Sequence, residues 1–549
     1  MPLTFALVQY NFNVGFIVGN VARIGALYDL VVAAGADLVV FSEMAITGYP
    51  PEDLVLSRRF QELSMAAVDD LAQMTTKGTA IIVGGLWREG DALYNAIFLL
   101  DGGKILYKQY KRHLPNYGIF DEKRVFAEGA MPEPVTWRGI HLGLLVCEDM
   151  WFTNVAAHLK NQGAEMLVCI NASPYEVGKA AQREAIAAER VRETGLPLMY
   201  VNQIGGQDDF IFDGGSFVLA ASGEICMRLH SFKEDLALLH WAQLCNEWKP
   251  VAGVVQRKPD DLESIYHAMM LGLKDFVDKN GFSGVVLGLS GGIDSALSAA
   301  VAVDALGCDR VHMLMLPSPI TSQESIEDAT ECAKRLGVHL DIIPIELGMQ
   351  AFERMMTPAF AGKYFDIIAA NNQTRLRASI LLAICSEKKA LLLTTGNKSE
   401  MGTGYTTIYG DMCGYYSVLK DVYKTMVYKL VEWRNAQSDV IPARIITKAP
   451  SGETMPNQKD QDTLPPYDVL DEILVRLVDE ALSVEEVIAQ GFDRATVDLV
   501  RTRLFGSEYK RRQSSPGVRI TSMLFGRDRR YPITSAWKGE KLTLPPSKH

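Results

Sequence analysis

Cysteine is scarce in this 549-residue chain: there are eight, scattered, and no two form a Cys-x-x-Cys pair. That spacing excludes a zinc ribbon or a thioredoxin-type motif and reads as a reduced compartment. Basic charge is also in deficit, with 55 Lys+Arg against 66 Asp+Glu and a formal charge of −11. A surface that grips nucleic acid nonspecifically needs a basic stripe, so no nucleic-acid partner is expected. A phosphate-bearing small molecule stays open, because a few local donors suffice for it. No apolar run reaches roughly 18 residues without a charge, since Asp37 interrupts the first candidate and Asp294 the best later one. The first basic residue is Arg23, so residues 1–16 lack the charged start of a signal peptide. The expectation is a cytoplasmic protein with no membrane partner.

What the chain does contain is ordinary globular material, 48% hydrophobic and 22% charged, which excludes a disordered or fibrous protein. At roughly 150 residues per domain its length allows three or four units, and two large α/β domains fit equally well. In the first half, apolar runs at 3–9, 37–42, 80–86, 141–146, 165–170 and 197–202 read as buried strands. Helical patterns lie between several of them, at 18–34 and 178–194, and hairpins turn at Asp101-Gly102-Gly103 and near Ser222-Gly223. Together these predict a layered α/β sandwich. A looser region at 241–261 follows, then a helix from about Leu262 and a new series of strands at 285–289, 311–316, 340–344 and 390–395. Helices at 296–306, 322–336 and 372–387 alternate with those strands, the rhythm of a doubly wound, Rossmann-like parallel sheet. The boundary is placed at 250/251, giving domains 1–250 and 251–549.

The sharpest local motif is Ser290-Gly291-Gly292-Ile293-Asp294-Ser295, after a strand and opening a helix. Two glycines let backbone approach a phosphate, while Ser290, Ser295 and the free N–H groups of the helix donate to it. Asp294 in an anion-binding loop would be self-defeating unless it held a cation, most simply Mg²⁺. The same glycine-serine turn can also be a plain tight connection, and it is not a Walker A loop. In the first half, three titratable residues stand at or just past strand ends: Glu43, Lys111 and Cys147. A thiol is a weak nucleophile at a pKa of about 8.5 and is activated by a neighbouring cation. A carboxylate can shuttle its proton, and an ammonium can neutralise an oxyanion. The competing reading of a lone cysteine is a small buried hydrophobe, which suits Cys169 and Cys385. It suits Cys147 less, because Glu148 and Asp149 follow directly.

Ser-Gly-Gly-x-Asp-Ser after a strand resembles the pyrophosphate loop of the ATP pyrophosphatases. Further stretches narrow the resemblance to the NAD synthetase family: Asn372-Gln373-Thr374-Arg375-Leu376-Arg377, Thr395-Gly396-Asn397-Lys398-Ser399-Glu400, Tyr409-Gly410-Asp411 and Lys420-Asp421-Val422-Tyr423-Lys424-Thr425. Lys448-Ala449-Pro450-Ser451 resembles that family's mobile loop, and Gln461-Asp462-Thr463-Leu464-Pro465-Pro466-Tyr467-Asp468 its exit. Gly452 and Thr454 depart from the Ala and Leu expected after the loop's Pro-Ser. The resemblance implies that Ser290, Gly291, Gly292, Asp294, Ser295, Arg375, Arg377, Thr395, Lys424 and Ser451 meet ATP or the nucleotide substrate. It also implies that Asp294 and Glu400 share Mg²⁺, and that synthetase domains pair in a homo-oligomer.

Phe41-Ser42-Glu43, Lys111-Arg112-His113-Leu114 and Val146-Cys147-Glu148-Asp149 resemble the three signatures of the nitrilase superfamily, αββα-sandwich amidases with a Glu-Lys-Cys triad. The Lys-x-His-Leu spacing selects Lys111 over the nearby Lys108. The stretches 114–122 and 171–175, with Lys179 behind, resemble the version of this domain fused to NAD synthetase, where it hydrolyses glutamine. By that resemblance Tyr117, Phe120, Glu148, Ser173 and Lys179 line a glutamine pocket. The implied reaction joins ammonia from glutamine to an adenylated deamido-NAD, with ATP consumed. Rival glutamine-dependent enzymes making GMP or asparagine would need a Cys-His-Glu amidotransferase or an N-terminal Cys. A tRNA-thiolating enzyme would carry paired cysteines and a basic face. A silent nitrilase-type scaffold is a further alternative, and the intact Glu43, Lys111 and Cys147 argue against it.

Overall fold

The computed structural model describes residues 2–244, 247–360, 366–456 and 458–537, so Cys245 lies outside the described residues. The chain separates into two compact units, one ending at Ser264 and one running from Ile265 onward. Among the described residues, no helix is long and apolar enough to cross a membrane.

The first unit contains β1 (Leu3–Gln9), α1 (Ile17–Ala33), β2 (Leu38–Val40), α2 (Arg58–Met74), β3 (Ala80–Glu89), β4 (Ala92–Asp101), β5 (Lys104–Tyr110), β6 (Val135–Trp137) and β7 (Ile140–Val146). It continues with α3 (Thr153–Asn161), β8 (Met166–Asn171), α4 (Lys179–Thr194), β9 (Leu198–Asn202), β10 (Ile204–Gln207), β11 (Phe210–Asp213), β12 (Phe217–Leu219), β13 (Ile225–Arg228), β14 (Asp235–Leu244) and β15 (Glu247–Pro250). Two large sheets form, in the orders β15-β14-β1-β2-β3-β4-β5 and β13-β12-β9-β8-β7-β6. Alternate residues of each strand point to opposite faces. Phe5, Leu7, Val40 and Ile97 from one sheet therefore pack with Leu142, Leu144, Val146 and Val168 from the other. The outward set of the first sheet, Ala6, Val8, Val39 and Ile81, lies against Ile24, Tyr28, Val68 and Leu71 of α1 and α2. Leu145, Leu167 and Leu198 of the second sheet pack with Val155, Leu159, Ala187 and Val191 of α3 and α4. The layers are thus α, β, β, α.

One expectation fails here. The stretch from Trp241 is not loose: β14 pairs antiparallel with β1, Leu3 opposite Trp241, and β15 folds back on β14. Its partner strand begins at the other end of the unit's sequence, so no local pattern announces the pairing. Residues 251–256 stay with this unit through Val251 N–H to His240 O, Gly253 N–H to Cys226 O and Gln256 N–H to Arg228 O.

The second unit carries α5 (Asp261–Lys279), begun at the end of the first, then β16 (Val285–Gly288), α6 (Ile293–Leu306), β17 (Val311–Met315), α7 (Gln323–Arg335), β18 (Leu340–Ile342), α8 (Glu346–Met356) and α9 (Asp366–Lys388). β19 (Leu391–Thr394), α10 (Lys398–Thr403), β20 (Tyr416–Ser417) and α11 (Lys424–Gln437) follow. The sheet order is β18-β17-β16-β19-β20, every pairing parallel. The winding reverses between β16 and β19. That is the topological switch point, where the carboxyl ends of two neighbouring strands open a crevice.

Two candidate active sites

The first site gathers where strands of the two sheets end. Glu43 lies three residues past β2 and is fully buried. Its segment runs so close to β3 that a Cβ on Gly84 would stand 2.3 Å from Met44 N, so a glycine is required there. Glu43 Oε1 accepts from Lys111 Nζ at 2.8 Å and Asn95 Nδ2 at 2.7 Å, and Oε2 accepts from Ala172 N–H at 2.8 Å. Lys111, just past β5, is 1% exposed and also donates to Glu122 Oε1 at 3.0 Å. Burial by itself would lower the Lys111 pKa. The carboxylates of Glu122 and Glu43 overcome it and hold the ammonium charged, well above the usual lysine range. Lys108 instead forms a surface pair with Glu89.

Cys147 directly follows β7 in a tight turn, with φ +46°, a region a non-glycine residue occupies only when its surroundings fix it. What fixes it is Asp149, fully buried. One of its oxygens accepts from Val146 N–H at 3.2 Å, the other from Arg112 and His113 N–H at 3.0 and 2.8 Å. One carboxylate thereby ties the cysteine turn to the segment bearing Lys111. Burial, then Glu43, push the Cys147 thiol up, and Lys111 opposes them. Because the thiolate is the nucleophile, the thiol proton has to leave as the sulfur attacks.

Around this centre Tyr117 donates to both oxygens of Glu148 at 3.1 Å, and Phe120 meets the Tyr117 ring edge-on. Lys179 Nζ lies 4.2 Å from the centre of the Trp151 ring. Ser173 is buried, its Oγ accepting from Arg183 Nε at 3.0 Å, while Arg183 pairs with Asp213 at 2.7 Å. Glu122, Asp149 and Arg183 went unassigned in the sequence reading. Each is a buried charged residue with at least one partner 30 or more residues away, Tyr49 for Glu122, Arg112 and His113 for Asp149 and Asp213 for Arg183, and only the fold brings those groups together.

The second site lies at the switch point, in a cavity of about 670 Å³. Ser290, Gly291, Gly292, Asp294, Ser295, Arg377, Thr395, Glu400, Lys424 and Ser451 all line it. Gly291 has φ +81°, and a Cβ there would meet Ser325 O at 2.4 Å. Ser295 Oγ donates to Gly292 O at 2.9 Å and accepts from Ser290 N–H at 3.2 Å, which fixes the loop before α6. Asn397 caps α10 reciprocally with Glu400 and donates to Asp294 Oδ1 at 3.1 Å. The Asn-x-x-Glu spacing of a capping box was the readable signal for this residue. The buried Lys424 ammonium bonds Asp294 Oδ2. Burial, then repulsion from Asp294, raise the Glu400 carboxyl well above its ordinary range, with Lys424 opposing.

Arg375 does not join the others. Two helical residues turn through about 200°, so with Arg377 on the cavity side Arg375 is exposed, donating to Ile408 O at 3.2 Å. Ser451 Oγ is engaged within its own loop, donating to Gln458 O at 2.5 Å. Thr454, at one of the two departures from the family pattern, binds Gln458 Oε1 through both N–H and Oγ1.

A family model described as carbon-nitrogen hydrolase matches residues 4–250, and one described as NAD synthase matches residues 265–514. The glutamine-dependent NAD(+) synthetase of Rhodobacter capsulatus is 46% identical, covering 97% of this chain and 98% of that protein. The protein of the same name from Xylella fastidiosa (strain Temecula1) is 42% identical, over 98% and 99%. The solved structure of the Acinetobacter baumannii glutamine-dependent NAD+ synthetase, in complex with adenosine diphosphate, is 38% identical. It superposes with a TM-score of 0.79 over 98% of this chain and 100% of that one.

Proposed function

The chain belongs to the glutamine-dependent NAD(+) synthetase family, and from that premise we propose that it amidates deamido-NAD to NAD, using ATP and glutamine. The amidase is placed in residues 1–250 and the synthetase in 251–549, with 251–256 a connection that still bonds to the first unit's strands. The observation that carries this reading is one chain holding both a buried Glu43–Lys111 pair beside a turn-held cysteine and a glycine-serine loop at a parallel-sheet switch point.

In the amidase, Cys147 Sγ attacks the glutamine side-chain carbonyl, and Glu43 takes the thiol proton and passes it to the leaving nitrogen. Lys111 faces the developing oxyanion. The C–N bond breaks, ammonia leaves, and water then hydrolyses the thioester to glutamate. Glu148, Tyr117, Phe120, Ser173 and Lys179 hold the amino acid, Glu148 opposite its α-ammonium. In the synthetase, the nicotinate carboxylate of deamido-NAD is adenylated with release of pyrophosphate, and ammonia displaces AMP. The loop Ser290, Gly291, Gly292, Ser295 cradles phosphate, with Lys424, Arg377, Thr395 and Ser451 on the nucleotide. Arg375 is kept for a nucleotide substrate that reaches beyond the cavity lining.

Asp294 and Glu400 are hard oxygen donors that would hold Mg²⁺, whose charge would relieve the repulsion by which Asp294 raises Glu400. Among the described residues no three acidic, His or Cys side chains form a complete cage, so phosphate oxygens and water would supply the other ligands. Bound Mg²⁺ would neutralise charge on the phosphates. The test is incubation with ATP, Mg²⁺, deamido-NAD and glutamine, with NAD, AMP and glutamate formed in equal amounts. Failure to form NAD from these four would overturn the reading. We also propose a homo-oligomer through synthetase pairing, and a fully active monomer in light scattering would overturn that.

A further inference from the structure

Beside the Glu43–Lys111 pair is a small pocket of about 40 Å³. It is lined by the apolar Pro50, Ile119, Val125, Phe126, Phe210 and Phe212, by Phe120 of the proposed glutamine site and by the charged Glu52, Asp121 and Arg124. Glu122 lines it too. Glu122 is 5% exposed, and its Oε1 is taken by Tyr49 Oη at 2.8 Å and Lys111 Nζ at 3.0 Å. Its Oε2 is buried and has no hydrogen-bond partner. An unpaired buried carboxylate oxygen is costly, and a cavity of this size holds about one small molecule. The molecule must donate hydrogen bonds, tolerate aromatic walls and sit one ammonium away from the reacting thioester. Glu122, which lines the pocket and accepts from Lys111, and Phe120, which lines it and meets Tyr117, connect the two places.

We infer that this pocket is the holding site for the ammonia the amidase releases, kept as ammonium against Glu122 Oε2. The inference rests on the proposed amidase reaction and deepens it. Burial raises the Glu122 carboxyl to about 7, so the group can exchange a proton with bound ammonium near neutrality. Run backwards, bound ammonium gives one proton to Glu122 and its nitrogen attacks the thioester carbon. The C–N bond forms, the C–S bond breaks, and Cys147 sulfur leaves as thiolate and takes up the proton that nitrogen sheds. Glutamine is regenerated carrying the incoming nitrogen.

The experiment supplies the full-length protein with glutamine and ¹⁵N-ammonium, and measures ¹⁵N in recovered glutamine beside glutamate formed. Wild type should show exchange that saturates with ammonium. Glu122→Gln keeps an acceptor for Lys111 and Tyr49 but no exchangeable carboxylate. Val125→Phe leaves Glu122 intact and fills the pocket. Each should lower the exchange-to-hydrolysis ratio at least fivefold and abolish saturation. No exchange while glutamate forms, a linear dependence in wild type, or an unchanged plateau in either variant overturns the holding site and leaves the amidase reading standing. Absence of glutamate formation in wild type would overturn the amidase reading itself.

Discussion

Two lysines three residues apart, Lys108 and Lys111, have opposite fates. Lys108 meets Glu89 at the surface, where such pairs contribute about 0–1 kcal/mol. Lys111 is buried between two carboxylates, so removing it strands both charges, a cost of about 3–5 kcal/mol. Lys111→Met should therefore lower the urea midpoint of the first unit sharply and end glutaminase activity, whereas Lys108→Met should leave both near wild type. Equal effects would remove the assignment of Lys111. Glu122 adds a pH dependence. Its folded pKa, near 7, lies above the unfolded carboxylate value, so the folded state binds more protons between about pH 4.5 and 7. Stability from this group is fully present below that window and is lost as pH rises through 7. Glu122→Gln should flatten the fall in Tm from pH 5 to pH 8, by an amount corresponding to about 3 kcal/mol at most. Parallel curves for variant and wild type would refute it.

At the scale of elements, strands were legible wherever an apolar run was continuous, because burial on both faces leaves no other pattern. β1, β7, β9, β16 and β19 fall within a residue or two of the runs that announced them. β14 was not legible, since its place beside β1 depends on a partner more than 200 residues away. The same division holds for the site residues. Glu43, Lys111 and Cys147 each stood out at or just past a strand end, and so did the Ser290 loop. Their support did not, because the bonds of Asp149 to Arg112 and His113 and of Glu122 to Tyr49 each span 36 residues or more. The Ser290 loop gives the sharpest element-scale test. Gly291→Ala puts a Cβ into Ser325 O and demands a positive φ from alanine, so the turn before α6 must shift. Synthesis of NAD from ammonium should fall by two orders of magnitude or more, with the ATP KM rising, while glutamine hydrolysis is preserved. Wild-type synthesis in that variant would show that the loop is only a connection.

For the whole molecule, two proposed sites built from separate units predict two activities that substitutions can part. Cys147 does not line the cavity that holds Asp294, and Asp294 is not among the residues proposed to bind glutamine. Cys147→Ala removes the only proposed nucleophile, so no thioester forms and glutamine becomes inert as a nitrogen donor. That variant should still make NAD when ammonium is supplied at high concentration and at a pH that leaves some free base. Asp294→Asn should do the reverse. Lys424 and Asn397 bond different oxygens of Asp294, so the amide keeps an acceptor for only one of them, and the proposed cation site loses a charge, which metal catalysis values at several kcal/mol. NAD formation should then fall by orders of magnitude with either nitrogen source, while glutamate is still released from glutamine. Mixing the two variants discriminates further. If ammonia reaches the synthetase through bulk water, the Asp294→Asn protein should feed the Cys147→Ala protein and restore glutamine-dependent NAD formation in proportion to glutamate released. If ammonia is handed over within one assembly, restoration should fall far short of the glutamate produced until the two chains are assembled together. Glutamine-supported synthesis by Cys147→Ala alone would remove Cys147 from the chemistry altogether.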